Sequence, residues 1–375
     1  MLHLLTNAPR DYAWGSHTLI AALEGRAPAS APEAEVWFGD HPGDPADLAD
    51  GRTLEAITSG ELPYLLKLLA ADAPLSIQVH PTKAQAVDGF AREIGLAVDH
   101  PGRNYRDDNH KPELLVVLSE RFEALCGLRE IGQTRRLVAS LNSSSDGVAR
   151  LTELLAGSVD PLRAAMQWAL AEASSEQIND IIGAVRDSDS TEFTTNVAAI
   201  RSIAARNPGD PGVVVALLMN YVVMKRGEAV FLRAGLLHAY VCGLGVEIMA
   251  ASDNVMRGGL TAKHIDVAEL MSIVDTTPGD VDVQKPDAAM NLQHYDIPVE
   301  DFALTRASLG GEPVTVEVRT PAMVLATSGE VCVTGADGTA MTVPVGSVAF
   351  ADSSERSLTL SGHGEAFIAE PGITV

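Results

Sequence analysis

The pattern of apolar and polar positions divides the chain into four zones. From Leu2 to about Leu128, short apolar runs alternate with Gly, Pro, Asp and Asn, which is typical of strands and turns, and one helix-like stretch lies at Tyr64–Leu69. From Ile131 to about Asn207, apolar residues recur at near-helical spacing, which predicts a helical insertion. Strand-like runs resume at Gly227. Phe302–Val375 is almost wholly β, with turn signals about every eight to twelve residues, which favours a sandwich or a barrel closed on itself.

These zones predict a mainly β protein with an α insertion, in which a helical domain interrupts a β-barrel. We expect residues 1–128 and 208–300 to form one β-domain that carries the chemistry. Residues 129–207 form the predicted helical insertion, and residues 301–375 form a C-terminal β-domain.

The composition of the chain limits the kinds of molecule that we expect it to bind. The chain has 375 residues, and its 50 acidic and 27 basic residues give a formal net charge of −23. Such a charge repels phosphate backbones and anionic lipid, so we expect neither a nucleic acid nor a membrane as partner. Met1–Pro9 lacks the pattern of a signal peptide, and the apolar run Val213–Met224 is too short to span a bilayer. We therefore expect a cytoplasmic protein.

The first motif with candidate chemistry is Ser76–Pro81. Alternation of polar and apolar residues places Ser76, Gln78 and His80 on one face of a strand. This face offers a hydroxyl, an amide oxygen and an imidazole. A half-exposed polar strand face would give the same pattern.

The second motif is the polar loop that leads into the apolar strand beginning at Glu113. A carboxylate at that position is expensive to bury unless a metal ion or a strong hydrogen-bond donor offsets the cost. Lys111 lies two residues earlier, and a lysine near a metal can act as a base. A solvated turn is the alternative interpretation.

The third motif places His238 and Tyr240 on one strand face and is followed by Glu247 in apolar surroundings. Arg257 and Lys263 come next, with adjacent glycines between them that allow close backbone approach. Together the three motifs supply two imidazoles, a carboxylate and an amide oxygen. That donor set suits Zn²⁺ and other borderline divalent metals.

These motifs, in this order, resemble the type I mannose-6-phosphate isomerases, also called phosphomannose isomerases. The resemblance extends from Tyr12 to Lys263, and no single motif would carry it alone. Leu237, Thr82 and Ala13 depart from residues common in the family, and none of them is a candidate ligand. The segments that carry the resemblance are Tyr12–Gly15, Glu35–Pro42, Pro63–Leu68, Ser76–Pro81, Asn109–Glu113, Phe122–Leu128, His238–Tyr240 and Glu247–Lys263.

The resemblance implies a zinc enzyme on a cupin-type barrel, or jelly roll. Such an enzyme interconverts the sugar phosphates mannose 6-phosphate and fructose 6-phosphate through a cis-enediol. The implied ligands of one zinc ion are Gln78, His80, Glu113 and His238.

Roles in the reaction are implied in the same way. Arg257 is the implied catalytic arginine, since a charged guanidinium stabilises an enediolate. Lys111 and Glu247 are equal candidates for the base, and His110 is the candidate ring-opening acid. The further candidates for binding the sugar or its phosphate are Trp14, Ser76, Lys83, Tyr240, Asp253 and Lys263.

Two other functions fit the same donors. Two histidines and one carboxylate also serve non-haem iron oxygenases, and a cupin can bind a sugar without catalysis. The cationic residues near the site favour a sugar phosphate as the small-molecule partner. We expect a monomer or a weak homodimer.

Overall fold

Two antiparallel sheets and a group of helices make up the protein, described here from a computed structural model that covers residues 1–97, 100–287 and 289–373. The strands are β1 Leu2–Thr6, β2 Glu35–Phe38, β3 Asp47–Leu48, β4 Tyr64–Ala71, β5 Gln78–Val79, β6 Glu113–Val117, β7 Phe122–Leu128, β8 Met219–Met224, β9 Ala229–Leu232, β10 His238–Ala250, β11 Met256–Arg257, β12 Val283–Gln284, β13 Leu292–His294, β14 Ala303–Gly310, β15 Val314–Glu317, β16 Ala322–Thr334, β17 Ala340–Val343, β18 Val348–Ala351 and β19 Ser357–Glu370. The helices are α1 Leu19–Leu23, α2 Glu55–Thr58, α3 Lys83–Glu93, α4 Ile131–Ser140, α5 Asp146–Ala156, α6 Pro161–Gln167, α7 Ser175–Asp187, α8 Thr194–Arg206, α9 Gly212–Leu218 and α10 Val267–Ile273, and a π-helical turn, Trp168–Glu172, follows α6.

The first sheet combines both ends of the chain. Its order is β13-β14-β19-β16-β18-β1-β3, with β15 paired to β19 and β17 paired to β16. Leu2 pairs with Ala351 and Leu5 with Val348, so the strand nearest the start of the sequence is held by strands near its end. We call this the C-terminal sheet.

The second sheet carries the three motifs and is called the site sheet. Its order is β11-β5-β10-β6-β9-β12, with β4 on β10, β2 on β4, and the β7–β8 pair also on β10. The long strand β10 therefore contacts β4, β5, β6 and β7, and residues from all three sequence motifs meet along it.

Alternation along the strands of the site sheet separates its two faces. In β4, Leu66 and Leu68 join a core that also contains Phe350 and Phe367 of the C-terminal sheet. The intervening Lys67 points to the opposite face, where it lines a cavity. One face of the site sheet thus packs on the C-terminal sheet, and the other forms the candidate site.

Helices α4 to α8 lie within residues 129–207, and α9 continues the helical region. Leu137, Leu151, Ile181 and Ile200 belong to a shared core, as their near-helical spacing predicted. Among the helices of the described residues, none is long and apolar enough to cross a bilayer.

One sequence expectation is wrong, and a second is not shown by the described residues. Tyr64–Leu69 is not helical but forms most of β4, which is buried on both faces and therefore apolar at nearly every position. The expected closed barrel is also not found, because the hydrogen-bonded order of each sheet is open within the described residues. The coarser expectation, a mainly β protein with helices, is confirmed.

Candidate metal centre

Three neighbouring strands bring the candidate ligands together. Glu113 begins β6, His238 begins β10, and Gln78 of β5 pairs directly with His238. His80 follows the end of β5. The side chains of His80, Glu113 and His238 are buried, and one ligand atom from each lies within 4.8 Å of the others.

Hydrogen bonds orient both imidazoles toward Glu113. His80 Nδ1 lies 2.7 Å from the carbonyl oxygen of Asn254, and His238 Nδ1 lies 3.0 Å from that of Leu236. Because a carbonyl oxygen only accepts, each Nδ1 carries a proton, and the neutral form of such a ring keeps its lone pair on Nε2. The Nε2 atoms lie 3.3 Å (His80) and 3.4 Å (His238) from opposite oxygens of Glu113.

These contacts fit a metal ion rather than an ion pair. Burial lowers the pKa of His80 to about 4, so its imidazole is neutral near pH 7. Its buried Nε2 has no hydrogen-bond partner among the described residues, although an oxygen of Glu113 faces it. Two acceptors facing each other in a buried site are costly unless a cation lies between them. Neutral histidines with a carboxylate are a preferred donor set for zinc.

Gln78 and Arg257 extend this group across the sheet. Gln78 pairs with His238 on one side and with Arg257 on the other, so the three side chains form a row on one face. The amide nitrogen of Gln78 donates to Ser76 Oγ at 3.0 Å, which leaves its Oε1 available to a metal.

A cavity of about 560 Å³ opens over this row. Gln78, Lys111 and Arg257 line its floor, and the aromatic side chains of Trp14 and Trp37 form part of its wall. A smaller chamber of about 60 Å³, lined by Gln78, Lys111 and the ligands Glu113 and His238, continues from it.

A buried group of charges lies beside the small chamber. Lys67 Nζ is 3.6 Å from Glu35 Oε1 and 3.4 Å from Glu247 Oε2, and Tyr240 donates from its hydroxyl to Glu247 Oε1 at 2.8 Å. Burial alone would lower the pKa of Lys67, but the two carboxylates raise it, so the lysine stays charged. Burial and the charge of Glu113 raise the pKa of Glu247.

Cations gather at another part of the cavity wall. Arg106, Arg257 and Lys263 line it together, and none of them forms an ion pair with a carboxylate of the described residues. Burial and the neighbouring Arg106 lower the pKa of Arg257. Burial and the neighbouring Arg257 lower the pKa of Lys263. Such a cluster is suited to an anionic group.

The chain is similar to known proteins. The family model of the type I phosphomannose isomerase catalytic domain matches residues 2–131. The mannose-6-phosphate isomerase of Escherichia coli (strain K12) is 34% identical, with 96% of this chain and 97% of that protein covered. The chain belongs to the phosphomannose isomerase family.

Solved structures agree with this membership. A variant of phosphomannose isomerase from Salmonella typhimurium superposes with a TM-score of 0.88 at 31% identity, over 99% of this chain and 100% of that one. A zinc-bound mannose 6-phosphate isomerase superposes with a TM-score of 0.87 at 31% identity, over the same shares of the two chains. This member of the family is therefore an isomerase.

Most of the predicted site residues border the two cavities. Those lining the large cavity are Trp14, Ser76, Gln78, Lys111, Asp253, Arg257 and Lys263. Those lining the small chamber include Glu113, His238, Tyr240 and Glu247. Asp253 also lies 3.2 Å from Nε2 of His41, another residue of the cavity wall.

Two predicted residues are directed elsewhere. The half-buried His110 lies with its Nε2 2.8 Å from Asp301 Oδ2, which links the loop before β6 to the segment before β14. Lys83 is the exposed first residue of α3, and its Nζ donates to Asn109 Oδ1 at 3.0 Å. Neither is among the residues that line the two cavities.

Sequence reasoning did not name Lys67, Glu35 and Arg106 as residues of the candidate site, although all three line the large cavity. Lys67 had a signal, since it is the one charge in the eight-residue apolar run of β4. Arg106 had none, because a single arginine in a polar loop is ordinary.

Proposed function

We propose that this isomerase interconverts mannose 6-phosphate and fructose 6-phosphate, with one zinc ion held by Gln78, His80, Glu113 and His238. The observation that carries the proposal is the orientation of two imidazoles toward Glu113, at the end of a cavity whose cationic cluster has no carboxylate partner among the described residues. Zinc, when bound, would act as a Lewis acid toward the carbonyl and hydroxyl oxygens of the open-chain sugar.

The cavity residues bind and orient the substrate. Arg106 and Lys263 are suited to the phosphate, because they lie in a cationic cluster with no carboxylate partner among the described residues. Arg257 lies next to Gln78 in the sheet, where its fixed positive charge can stabilise the negative charge that develops on the enediol oxygens. Trp14 offers the sugar an apolar surface.

Proton transfer between C2 and C1 needs a base beside the zinc ligands. We favour Glu247, because its raised pKa suits a general base and Tyr240 fixes its orientation. Lys111 Nζ lies 3.0 Å from Glu113 Oε1, so we assign it to holding Glu113 and to binding the substrate oxygens. His110 keeps the proposed role of ring-opening acid only if its contact with Asp301 opens.

We also propose the finer architecture expected from the sequence. The site sheet would be a cupin-type jelly roll formed by residues 1–128 and 208–300, with residues 129–207 as a helical insertion and residues 301–375 as a C-terminal β-domain. The C-terminal sheet also contains β1 and β3 from the first segment and β13 from the second, so three strands outside residues 301–375 pair with the last unit. Cytoplasmic location and a monomeric or weakly dimeric state stay predictions.

A coupled assay of mannose 6-phosphate conversion tests the function. It is run on protein as purified, after chelation, and after zinc is restored. Activity should disappear with the metal and return with zinc. A protein that binds zinc but converts no mannose 6-phosphate in any state would refute the proposed reaction, and oxygen-dependent turnover of another substrate would point to an oxygenase.

A further inference from the structure

Asn254 fills the inside of the loop that leads to β6. Its side chain is fully buried, and Oδ1 accepts hydrogen bonds from the backbone amides of Arg106 at 2.7 Å and Asp107 at 3.4 Å. Its Nδ2 donates to the carbonyl oxygens of Asp107 and Asn109, both at 2.8 Å, and lies 3.1 Å from Asp107 Oδ1. One amide side chain thus spans residues 106–109 from within.

The backbone of the same residue holds a candidate zinc ligand. The carbonyl oxygen of Asn254 accepts from His80 Nδ1 at 2.7 Å, which fixes the tautomer that leaves Nε2 free for a metal. Ser252 supports this backbone, since its Oγ accepts from the amide of Asn254 at 3.2 Å and donates to Asp107 Oδ1 at 2.8 Å.

We propose that Asn254 is a positioning residue that couples the orientation of His80 to the loop presenting Arg106 to the substrate. The loop continues through Lys111 to Glu113. The side chain of Asn254 therefore holds the loop that leads to Glu113, while the backbone carbonyl of the same residue holds His80. The inference rests on the zinc site proposed above. It extends that site to a residue that contacts neither metal nor substrate.

The loss of this side chain has a defined consequence. Without it, two backbone amides and two carbonyl oxygens of the loop lose their partner in a partly buried place, and the loop must shift to find others. The Asn254 carbonyl then no longer holds His80 in one orientation. Loss of a hydrogen bond that orients a metal-ligating histidine typically weakens metal affinity about 10- to 100-fold.

The test compares zinc binding in the wild type, Asn254→Ala and Asn220→Ala by competition with a chromophoric chelator. Asn220 is the matched control because its Nδ2 also donates to three carbonyl oxygens, those of Cys126, Leu128 and Gly279, and these residues line neither the large cavity nor the small chamber. We expect the zinc Kd of Asn254→Ala to rise about 10- to 100-fold. The zinc Kd of Asn220→Ala should stay within about threefold of the wild type, even where its melting temperature falls.

Two further measurements distinguish a specific positioning role of Asn254 from a general loss of protein stability. In metal-free protein, hydrogen exchange at the amides of Arg106 and Asp107 should accelerate in Asn254→Ala and not in Asn220→Ala. The visible spectrum of the cobalt-substituted protein should change only in Asn254→Ala, because it reports the ligand geometry.

If Asn254→Ala does not fold, Asn254→Asp replaces it, since the carboxylate keeps the two acceptor contacts and removes the donor contacts. Wild-type zinc affinity and cobalt spectrum in the folded variant would overturn the inference, as would equal weakening in Asn220→Ala. A wild-type protein that fails to bind zinc would instead overturn the proposed function itself.

Discussion

Lys67 lies between two buried carboxylates, and replacing it with methionine tests how the site tolerates their charge. Its Nζ is 3.4 Å from Glu247 and 3.6 Å from Glu35, and the three side chains are between 4% and 9% exposed. At an effective dielectric constant of about 20, each contact corresponds to roughly 5 kcal/mol of attraction. Desolvation of the ions offsets part of this, and breaking a buried pair typically lowers the free energy of unfolding by about 3–5 kcal/mol.

We therefore expect Lys67→Met to lose about 3–5 kcal/mol of unfolding free energy near pH 8. Burial and the charge of Glu113 already raise the pKa of Glu247 in the folded state, and with the cation of Lys67 gone this pKa rises further. Folding then favours proton uptake, so the loss should shrink as the pH falls through the raised pKa.

Urea unfolding of the zinc-loaded protein at several pH values measures this effect. The double variant Lys67→Met/Glu247→Gln should recover part of the lost unfolding free energy, because only the carboxylate of Glu35 is then left without the lysine. The exposed Lys83→Met is the control and should stay within about 0.5 kcal/mol of the wild type. A loss for Lys67→Met below about 1 kcal/mol, or one that does not change with pH, would refute the argument that Lys67 balances these carboxylates.

The other predictions concern metal and turnover. Metal analysis and the coupled assay should show that His238→Ala loses zinc and activity together, whereas the control His110→Ala should keep its zinc. Activity that is retained in metal-free His238→Ala would contradict the assignment of His238 as a ligand. Arg257→Ala should keep zinc and lose turnover by about a hundredfold or more, and a parallel fall in metal content would make Arg257 structural. Arg106→Ala should raise KM for the sugar phosphate by about tenfold with little change in kcat, as expected for a lost charge-assisted hydrogen bond, and an unchanged KM removes it from the phosphate site. Glu247→Gln should abolish exchange of the substrate C2 proton with deuterated water in an NMR assay, and continued exchange would return Lys111 to consideration as the base.

The candidate ligands could be predicted because each lies in a short motif whose spacing has geometric meaning. Ser76 and Gln78 share a face through the two-residue period of a strand, and the structure retains that relation. The sequence did not reveal that Gln78 pairs with His238, since the two are far apart in the chain. The types of donor atom indicated a metal. The pairing of strands that brings these donors together was visible only in the structure.

The errors have equally local causes. The run Tyr64–Ala71 has no alternation because one face packs on the C-terminal sheet and the other lines the cavity, so its period could not distinguish strand from helix. Lys67, its single charge, was hidden in that run. The helix Lys83–Glu93 had a readable signal, a capping box formed by Thr82 and Gln85, which the strand-and-turn interpretation overlooked.

The pairing of β1 with β18 has a consequence for synthesis of the protein on the ribosome. Leu2 leaves the exit tunnel long before its partner Ala351, because most of the described residues lie between the two in the chain. Domains generally fold in the order in which they emerge, whereas the edge of β1 that pairs with β18 stays unpaired until that strand has been made. This edge is thus exposed to mispairing until β18 appears, and truncation after β16 would leave β1 without its partner β18 even though every candidate zinc ligand is present.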